Sequence, residues 1–428
     1  MLDGCITELE LKPASVKMND QTINMNPKSH HWTRILFLSF VVFISCNSQK
    51  HLSYKPDPTL LQTIDKNFID AAAQYKVLAK NLPADRFPKT YFPATDKYEF
   101  SGSGWWCSGF YPGSLLYIYE EAKDQASYAE AERILKVLEK EKNNTTTHDL
   151  GFMMFCSFGN ADRIASKPEY KDILLTSARS LSTRFNSKVG CIKSWDSKAG
   201  DFLVIVDNMM NLELLFWATR VSGDSSFYKI AVTHANTTMK NHFRPDFSSY
   251  HVINYNPETG AVQQKKTAQG AADESAWARG QAWGFYGYTV MYRETKDPIY
   301  LEQAKNIGRF ILSNPNLPHD KIPYWDFNAP GIPNALRDAS AGSIIAAALL
   351  ELCHYVNKDL AREYIGTAEI ILRNLSGDQY KAAAGTNGGF LIKHGVGHMP
   401  NKTEVDVPLT YGDYYYLEAM KRYKQLGK

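Results

Sequence analysis

The chain has 428 residues, of which 44% are hydrophobic and 22% are charged, and its formal net charge is +3. This composition predicts a globular protein with a large core and excludes broad disorder. The small net charge, without a run of basic residues, argues against a nucleic-acid-binding protein. Aromatic residues make up 13% of the chain, which suits a packed core and also supplies surfaces for sugar rings.

An apolar segment near the N-terminus predicts export. Residues 35–45 are almost wholly apolar, follow Lys28 and Arg34, and end directly before Cys46. The run is too short to cross a bilayer but suits the apolar part of a signal peptide. The sequence FISC at 43–46 resembles a bacterial lipobox, in which the cysteine is lipidated. A cleaved signal without a lipid, or a buried helix, is the alternative.

These features divide the chain into three parts. Residues 1–46 form the predicted signal region, and a start at Met25 would give a signal of conventional composition. Residues 47–57 form a polar tether, and residues 58–428 form the remaining domain. We therefore expect an exported bacterial lipoprotein of the periplasm or outer membrane, with a membrane contact only through its N-terminal lipid.

Cysteine and histidine spacing indicates neither a disulfide framework nor a metal site. The cysteines after Cys46 are widely spaced and include no CxxC pair, which favours buried free thiols. The histidines form no HxxxH or HExxH pair on a helix. We expect no metal and no cofactor.

Helical periodicity continues from residue 58 to the C-terminus. Apolar residues recur at spacings of three and four in about twelve blocks, at 58–81, 105–122, 127–142, 150–162, 169–186, 207–221, 225–242, 274–294, 298–313, 338–355, 358–376 and 410–426. Several blocks start with an Asp shortly before a Tyr, as at Asp124, Asp224 and Asp297, which indicates a loose repeat of helix pairs.

No linker divides these blocks. Twelve helices in one domain predict an all-α fold, an (α/α)6 barrel of six helical hairpins whose inner helix ends surround one cavity. Strand signals are local, at 250–255 and 261–264, and predict a small β-hairpin in a loop. A two-domain helical protein is the alternative.

Two short acidic motifs, HDLGF at 148–152 and DNMMN at 207–211, each place one carboxylate before an apolar helical run. Asp149 and Asp207 could each cap a helix. A cap does not require the Asn and Met residues that follow Asp207, however, and such surroundings can raise the pKa of a carboxyl group. Two carboxylates facing one aromatic cavity predict acid/base chemistry on a sugar.

Three further clusters have the same character. WWCSGFYPG at 105–113 combines aromatic rings with glycines, which allows rings to line a cavity at close backbone approach. Arg279 and Trp283 lie four residues apart, on one helical face, and a guanidinium beside an indole suits a sugar carboxylate. The run YGDYYY at 411–416 is predicted to close the barrel, in a mainly structural role.

Five motifs together resemble the unsaturated glucuronyl hydrolases of glycoside hydrolase family 88. They are, in chain order, WCSGF at 106–110, HDLGF at 148–152, DNMMN at 207–211, ARGQAWG at 278–284 and YGDYY at 411–415. Each motif alone is moderately specific, and five in order are strongly so. The resemblance covers residues 58 to 428.

The resemblance implies an (α/α)6 barrel acting on oligosaccharides that carry a 4,5-unsaturated uronic acid at the non-reducing end, left there by a polysaccharide lyase. The sugar is released after hydration of the C4=C5 double bond, without a metal or cofactor. Asp207 corresponds to the family's acid/base and Asp149 to its second essential acid. The implied substrate-binding residues are Trp106, His148, His251, Gln269, Arg279 and Trp283, with Trp106 as a stacking platform.

One segment departs from the family pattern. Residues 394–403 lie where some relatives carry a Ser- and Lys-containing loop that recognises a sulfated neighbouring sugar, and that pattern is not reproduced here, although the segment contains Lys402. The preference for sulfated substrates therefore stays open. Two other functions also stay open: an unsaturated rhamnogalacturonyl hydrolase, and a surface glycan-binding lipoprotein without catalysis.

Overall fold

The computed structural model describes residues 54–427, and most of this part of the chain is helical. The predicted signal region with its lipobox lies outside the described residues. The first helix begins at Pro58, and Asp57 caps it by accepting a hydrogen bond from the backbone N–H of Leu60 at 2.8 Å. The helix therefore starts where the sequence predicts the domain to start.

Helices that bury one face alternate along the chain with helices of a second kind, and four of the six helices of this second kind bury most of their residues. The first kind forms an outer layer, as expected of amphipathic helices. The outer helices are α1 (Pro58–Asn81), α3 (Gln125–Leu138), α5 (Pro168–Ser182), α7 (Ser225–His242), α9 (Pro298–Ser313) and α11 (Lys358–Leu375).

The helices between them form an inner layer. Every residue of α10 is buried, for example, and small side chains allow its neighbours to approach closely. The inner helices are α2 (Phe110–Ala122), α4 (Asn160–Ile164), α6 (Leu212–Ser222), α8 (Ala278–Thr295), α10 (Ala339–Leu352) and α12 (Thr410–Gln425). A π-helix, Gly151–Gly159, runs directly into α4, and a 3₁₀ helix, Val206–Asn211, runs directly into α6.

The inner helices close into a ring. Helix α2 contacts the π-helix, which contacts α6, and α8, α10 and α12 follow until α12 contacts α2 again. Each outer helix packs on inner helices next to it in sequence. This arrangement is an (α/α)6 barrel, which confirms the predicted fold.

The recurring Asp residues are caps of the outer helices. Asp124, Asp224 and Asp297 each accept a backbone N–H hydrogen bond, at 2.8 to 3.0 Å, from the first turn of the helix that follows. Such caps satisfy N–H groups that have no partner within the helix. The loose sequence repeat is therefore a repeat of helix starts.

All the strands lie in connections that lead from an outer helix to the next inner helix. They consequently gather where the inner helices begin. The strands are β1 (Phe87–Phe92), β2 (Lys97–Ser101), β3 (Phe185–Asn186), β4 (Cys191–Ile192), β5 (Phe202–Ile205), β6 (Val252–Tyr255), β7 (Val262–Lys266), β8 (Gly395–His398) and β9 (Thr403–Val407). The predicted hairpin is confirmed as β6 and β7, and β5 extends it to a three-stranded sheet.

The four cysteines of the described region, Cys107, Cys156, Cys191 and Cys353, are unpaired, and all but Cys156 are buried. Within residues 54–427 we find no helix with the length and apolarity needed to cross a membrane.

A close contact at Gly109 gives a test of the ring closure. A Cβ atom at Gly109 would lie 2.1 Å from the carbonyl oxygen of Phe152 and 2.2 Å from that of Met153, so α2 or the π-helix would have to move. Gly366, on α11, has nothing within 4 Å of such an atom. We predict that Gly109→Ala lowers the free energy of unfolding by about 1–3 kcal/mol or more.

The matched variant Gly366→Ala should leave that free energy unchanged or raise it by up to about 1 kcal/mol. Urea unfolding followed by circular dichroism measures both. Equal stability of the two variants would contradict this packing.

Candidate active site

The predicted site residues gather where the inner helices begin. Asp149 stands two residues before the π-helix, and Asp207 is the second residue of the 3₁₀ helix that leads into α6. Arg279 is the second residue of α8, and Trp106 lies four residues before α2. Since the connections from outer to inner helices meet at this end, residues far apart in sequence share one site.

Asp207 and His251 are brought together by strand pairing. Strand β5 pairs with β6 in antiparallel register, with Ile205 opposite Val252. Just beyond that pair, the N–H of Val206 donates to the carbonyl oxygen of His251 at 3.0 Å. This register places the Nε2 atom of His251 3.7 Å from Oδ2 of Asp207.

The hydrogen bonds at Nδ1 of His251 determine which of its ring nitrogens carries the proton. Its Nδ1 accepts hydrogen bonds from the backbone N–H groups of Ala268 at 3.1 Å and Gln269 at 3.2 Å, so Nδ1 carries no proton. Burial lowers the pKa of His251 well below its usual range. A neutral imidazole with a bare Nδ1 has its proton on Nε2, which faces Asp207.

The carboxyl group of Asp207 is almost excluded from water. Within the described residues its Oδ2 atom has no hydrogen-bond partner. Burial raises its pKa to about 7, the negative charge of Asp149 adds to the rise, and the positive charge of Arg279 opposes it. A carboxyl group in such surroundings can hold a proton near neutral pH and release it to a reactant.

Asp149 makes side-chain contacts that a helix cap would not make. Its carboxylate lies 3.4 Å from both Oγ1 of Thr147 and Nδ2 of Asn211, and 3.3 Å from Nε2 of His148. Asn211 follows Asp207 by one turn of the same helical segment, so it connects the two acidic motifs. The capping alternative is therefore not what the structure shows for Asp149.

Asp413 provides a useful contrast. It is also fully buried, and burial raises its pKa to about 7. Its two oxygens accept hydrogen bonds from the N–H groups of Leu391 and Ile392, at 2.9 and 3.0 Å, and from the hydroxyl of Tyr75 at 3.3 Å. Asp413 thus holds a loop against α12 and α1, in the structural role predicted for its motif. Asp207 has no such satisfied set of partners.

Arg279 is fully buried, and both of its terminal nitrogens are occupied. Nη1 donates to Oδ2 of Asp338 at 2.9 Å and to the carbonyl of Val396 at 2.6 Å, and Nη2 donates to the carbonyl of Gly397 at 2.7 Å. Its Nε atom has no partner among the described residues. The guanidinium therefore ties α8 to α10 and to the β8–β9 hairpin while supplying a fixed positive charge.

The aromatic neighbours of Arg279 are Trp277 and Tyr411, whose ring centres lie 4.4 and 5.2 Å from its guanidinium carbon. Trp283, the indole that sequence spacing places beside Arg279, is itself fully buried and packs against Phe152 at 4.9 Å between ring centres. Trp277 also packs on His251 at 4.4 Å, so one indole supports two site residues.

Trp106 and Gln269 complete the predicted set. Trp106 is partly exposed and packs on Tyr411 at 4.8 Å and on Phe152 at 5.6 Å between ring centres. The side-chain amide of Gln269 donates to the carbonyl of Gly397 at 2.9 Å, the same carbonyl that Arg279 contacts. The β8–β9 hairpin, which overlaps the departing segment 394–403, is therefore held at the site by two predicted residues.

Sequence reasoning missed several residues of the site. Trp277 stands in the same motif as Arg279 and could have been found there. Tyr411 was assigned to barrel closure, although its ring faces Arg279 and Trp106. Asp338 has the sequence signal of a helix cap, which it also is, but its pairing with Arg279 depends on tertiary contact alone. Ser194, whose carbonyl contacts His148, had no signal.

Comparison with known proteins identifies the family of this chain. Residues 84–314 match Glycosyl Hydrolase Family 88. The chain is 43% identical over 399 residues to the unsaturated glucuronyl hydrolase of Formosa agariphila, an alignment that covers 92% of this chain and 97% of the relative. The chain belongs to glycoside hydrolase family 88. It is a glycoside hydrolase, and the resemblance to unsaturated glucuronyl hydrolases is confirmed.

Solved structures of this family share the fold. An unsaturated glucuronyl hydrolase described as specific for heparin has a TM-score of 0.82 and 45% identity, covering 85% of this chain and 97% of the other. A mutant enzyme from Streptococcus agalactiae, solved with dGlcA-GalNAc6S, has a TM-score of 0.73 and 28% identity, covering 88% and 95%.

A cavity lies at the end of the inner helices opposite to these site residues in this family 88 hydrolase. It has a volume of about 600 Å³ and is lined by charged residues, among them Glu213, Arg293, Glu351, Glu418 and Arg422. Arg293 pairs with Glu351 at 3.1 Å, and Arg422 pairs with the same Glu351. These ion pairs join α8, α10 and α12, so the lining fits a structural role better than a site for acid/base chemistry.

The raised pKa of Asp207 predicts a pH-dependent cost in stability. Because the folded pKa lies above the unfolded value of 3.8, the folded chain binds more protons between about pH 4 and about pH 7, and the free energy of unfolding falls as the pH rises through that window. We predict that Asp207→Asn, which cannot ionise, becomes increasingly more stable than the wild type between pH 4 and pH 8, by up to about 4 kcal/mol.

Urea unfolding at pH 4, 6 and 8 measures this difference. Asp172→Asn is a suitable control, since Asp172 is exposed on α5, and its difference from the wild type should not grow with pH in this way. A constant difference for Asp207→Asn across the range would show that burial does not perturb this carboxyl group.

Proposed function

We propose that this chain removes the 4,5-unsaturated uronic acid from the non-reducing end of oligosaccharides produced by polysaccharide lyases, with glycosaminoglycan products as the substrate class. The observation that carries the proposal is the buried carboxyl of Asp207, whose pKa is raised to about 7 beside the N–H of His251. The names of the relatives, which include glucuronyl and chondroitin disaccharide hydrolases, support the substrate class.

The chemistry explains why a protonated carboxyl group is needed. A 4,5-unsaturated uronide is an enol ether, and protonation at C4 leaves an oxocarbenium centre at C5. Water adds at C5 and loses a proton, which gives a hemiketal. The bond from C5 to the ring oxygen then breaks, and the hemiacetal formed at C1 releases the neighbouring sugar. One water is consumed, and C1 is not attacked directly.

Asp207 suits both proton transfers of this sequence. In its protonated form it donates to C4, and as a carboxylate it accepts the proton that the water loses at C5. General acid/base action of this kind contributes about 10²- to 10⁴-fold in rate. A pKa near 7 keeps both forms accessible near neutral pH, which an exposed aspartate would not do.

The other residues bind and orient the substrate in this proposal. Asp149 orients the sugar, and the negative charge that it carries when ionised raises the pKa of Asp207. His251 donates a hydrogen bond from Nε2. Gln269 lies next to His251, and both residues are proposed to face C4 and the ring of the unsaturated sugar. Arg279 supplies positive charge toward the uronate carboxylate, with Nε as its unoccupied donor.

The aromatic residues and His148 complete the set. Trp106 is partly exposed and is the proposed stacking platform, while the buried Trp283 supports it through Phe152, which both rings contact. His148 is proposed to help hold the substrate on the same side of the site, through its contact with Asp149.

We also propose that the protein is exported as a lipoprotein and acts after a lyase in the periplasm or at the outer membrane. The support is the apolar run 35–45 and the lipobox-like ending at Cys46. Metabolic labelling with an alkyne fatty acid would test it: we expect label on the wild type and none on Cys46→Ser.

A panel of unsaturated disaccharides tests the function. The wild-type enzyme should remove the ultraviolet absorbance of the C4=C5 bond in chondroitin or heparin disaccharides, sulfated and unsulfated. Asp207→Asn should lose turnover by at least about 10²-fold while still binding the disaccharide in calorimetry, because it keeps the shape of the site.

The alternatives give different outcomes. Turnover only of a rhamnogalacturonan lyase product would identify an unsaturated rhamnogalacturonyl hydrolase. Binding without turnover of any disaccharide by the wild type would identify a glycan-binding protein. Full activity of Asp207→Asn would overturn the acid/base assignment.

A further inference from the structure

A contact with the Ser194 carbonyl shows which ring nitrogen of His148 carries a proton. His148 is buried, and its Nδ1 lies 2.8 Å from the carbonyl oxygen of Ser194. A carbonyl oxygen can only accept, so Nδ1 carries a proton and donates it. The other nitrogen, Nε2, lies 3.3 Å from Oδ1 of Asp149 but has no hydrogen-bond partner among the described residues.

The second His–Asp pair of the site has the opposite arrangement. Nδ1 of His251 accepts two backbone N–H groups, so the proton of this ring lies on Nε2 and faces Asp207. That proton is fixed by the backbone of the loop after β7. In the pair of His148 and Asp149, by contrast, the carbonyl of Ser194 fixes the proton on Nδ1, which is the nitrogen farther from Asp149. Nε2 is left facing the carboxylate of Asp149.

A neutral His148 facing an ionised Asp149 would bring two lone pairs together without a proton. The cost of such a contact in a buried site is high, because neither group can turn to water. A single proton placed between Nε2 and Oδ1 removes the conflict, whether the histidine or the aspartic acid holds it more closely.

We propose that His148 and Asp149 share one proton, so that His148 acts as a positioning residue that hides the charge of Asp149 from Asp207. The inference rests on the proposed function for its consequence in turnover. With this shared proton added to the one on Nδ1, the pair has no net charge, whereas without it Asp149 would be an anion beside a neutral histidine. Since the charge of Asp149 raises the pKa of Asp207, the pair keeps Asp207 able to ionise and to accept a proton from water.

The surrounding groups are consistent with a coupled pair. Besides Asp149, the charged or titratable groups that face His148 are Arg184, whose Nη2 also donates to the Ser194 carbonyl at 3.3 Å, and His234. His234 is neutral, because burial lowers its pKa to about 3. Burial lowers the pKa of His148, the charge of Asp149 opposes this change, and the charge of Arg184 adds to it. Asp207 acts on Asp149 from the 3₁₀ helix.

His148→Asn tests the proposal, because the Asn amide can take the place of Nδ1 and donate to Ser194 while nothing replaces Nε2. His148→Gln is its counterpart, since it places an amide near the position of Nε2 that hydrogen-bonds Asp149 without carrying an exchangeable charge. In both variants Asp149 is left as an anion. We expect the alkaline limb of the pH profile of kcat/KM, which reports loss of the Asp207 proton, to move up by about one pH unit.

A merely structural role of His148 predicts something else: lower kcat at every pH with an unmoved alkaline limb in both variants. That result, or a downward shift, would overturn the proposal.

A second measurement does not depend on turnover. In protein labelled with ¹⁵N-histidine, the ring signals of His148 are assigned by their absence in His148→Asn. We expect the Nε2 signal of the wild type at pH 7 to lie toward the protonated value, and to move to the bare-nitrogen value in Asp149→Ala. Identical Nε2 signals in the two proteins would overturn the shared proton, even in an enzyme whose substrate had been assigned wrongly.

Discussion

Desolvation of one carboxyl group is the constraint on which the chemistry of this barrel depends. Asp207 lies where inner helices and their entering loops converge, so water is removed from its side chain, yet no described donor replaces water at Oδ2. The fold can impose this condition because the 3₁₀ helix and strand β5 hold the residue from both sides. A flexible loop would let the group turn to solvent and regain its ordinary pKa.

The charges of Arg279 and Asp149 change the pKa of Asp207 less than its burial does. Arg279 opposes the pKa rise of Asp207, but most of its donors are committed to Asp338 and to carbonyls of the β8–β9 hairpin. It therefore acts on Asp207 at a distance, as a fixed positive charge. Asp149 acts in the opposite direction, and its contact with His148 determines how much negative charge the site contains. The site thus combines an acid whose pKa is strongly raised, Asp207, with the fixed positive charge of Arg279. Asp149 is the third member, and its charge depends on His148.

Packing around the site links this electrostatic arrangement to the stability of the barrel. Trp277 contacts both His251 and Arg279, and Tyr411 contacts both Arg279 and Trp106. These rings hold the polar groups in place without competing for their hydrogen bonds. The arrangement resembles the general division in enzymes between a rigid aromatic frame and a few precisely placed polar atoms.

The helices were predictable because their signals are local. Blocks 58–81 and 298–313 agree with α1 and α9 at both ends, where a capping Asp or a proline marks the start. The residue types of the site were predictable from motifs, and the structure places Asp149 near enough to Asp207 for its charge to act on that residue. The contact of His251 with Asp207 depends on the register of β5 and β6, and that of Arg279 with Gly397 on the position of a distant hairpin. No local pattern encodes either contact.

The most direct test of this account is the titration of Asp207 itself. Carboxyl signals of ¹³C-aspartate-labelled enzyme, followed by NMR from pH 3 to pH 9 and compared with Asp207→Asn, would identify the signal of Asp207 by its loss. The account predicts a transition near pH 7, as the raised pKa of about 7 requires. A transition near the ordinary aspartate value of about 4 would contradict it, because Asp207 would then be ionised at neutral pH and could not donate the proton that starts the reaction.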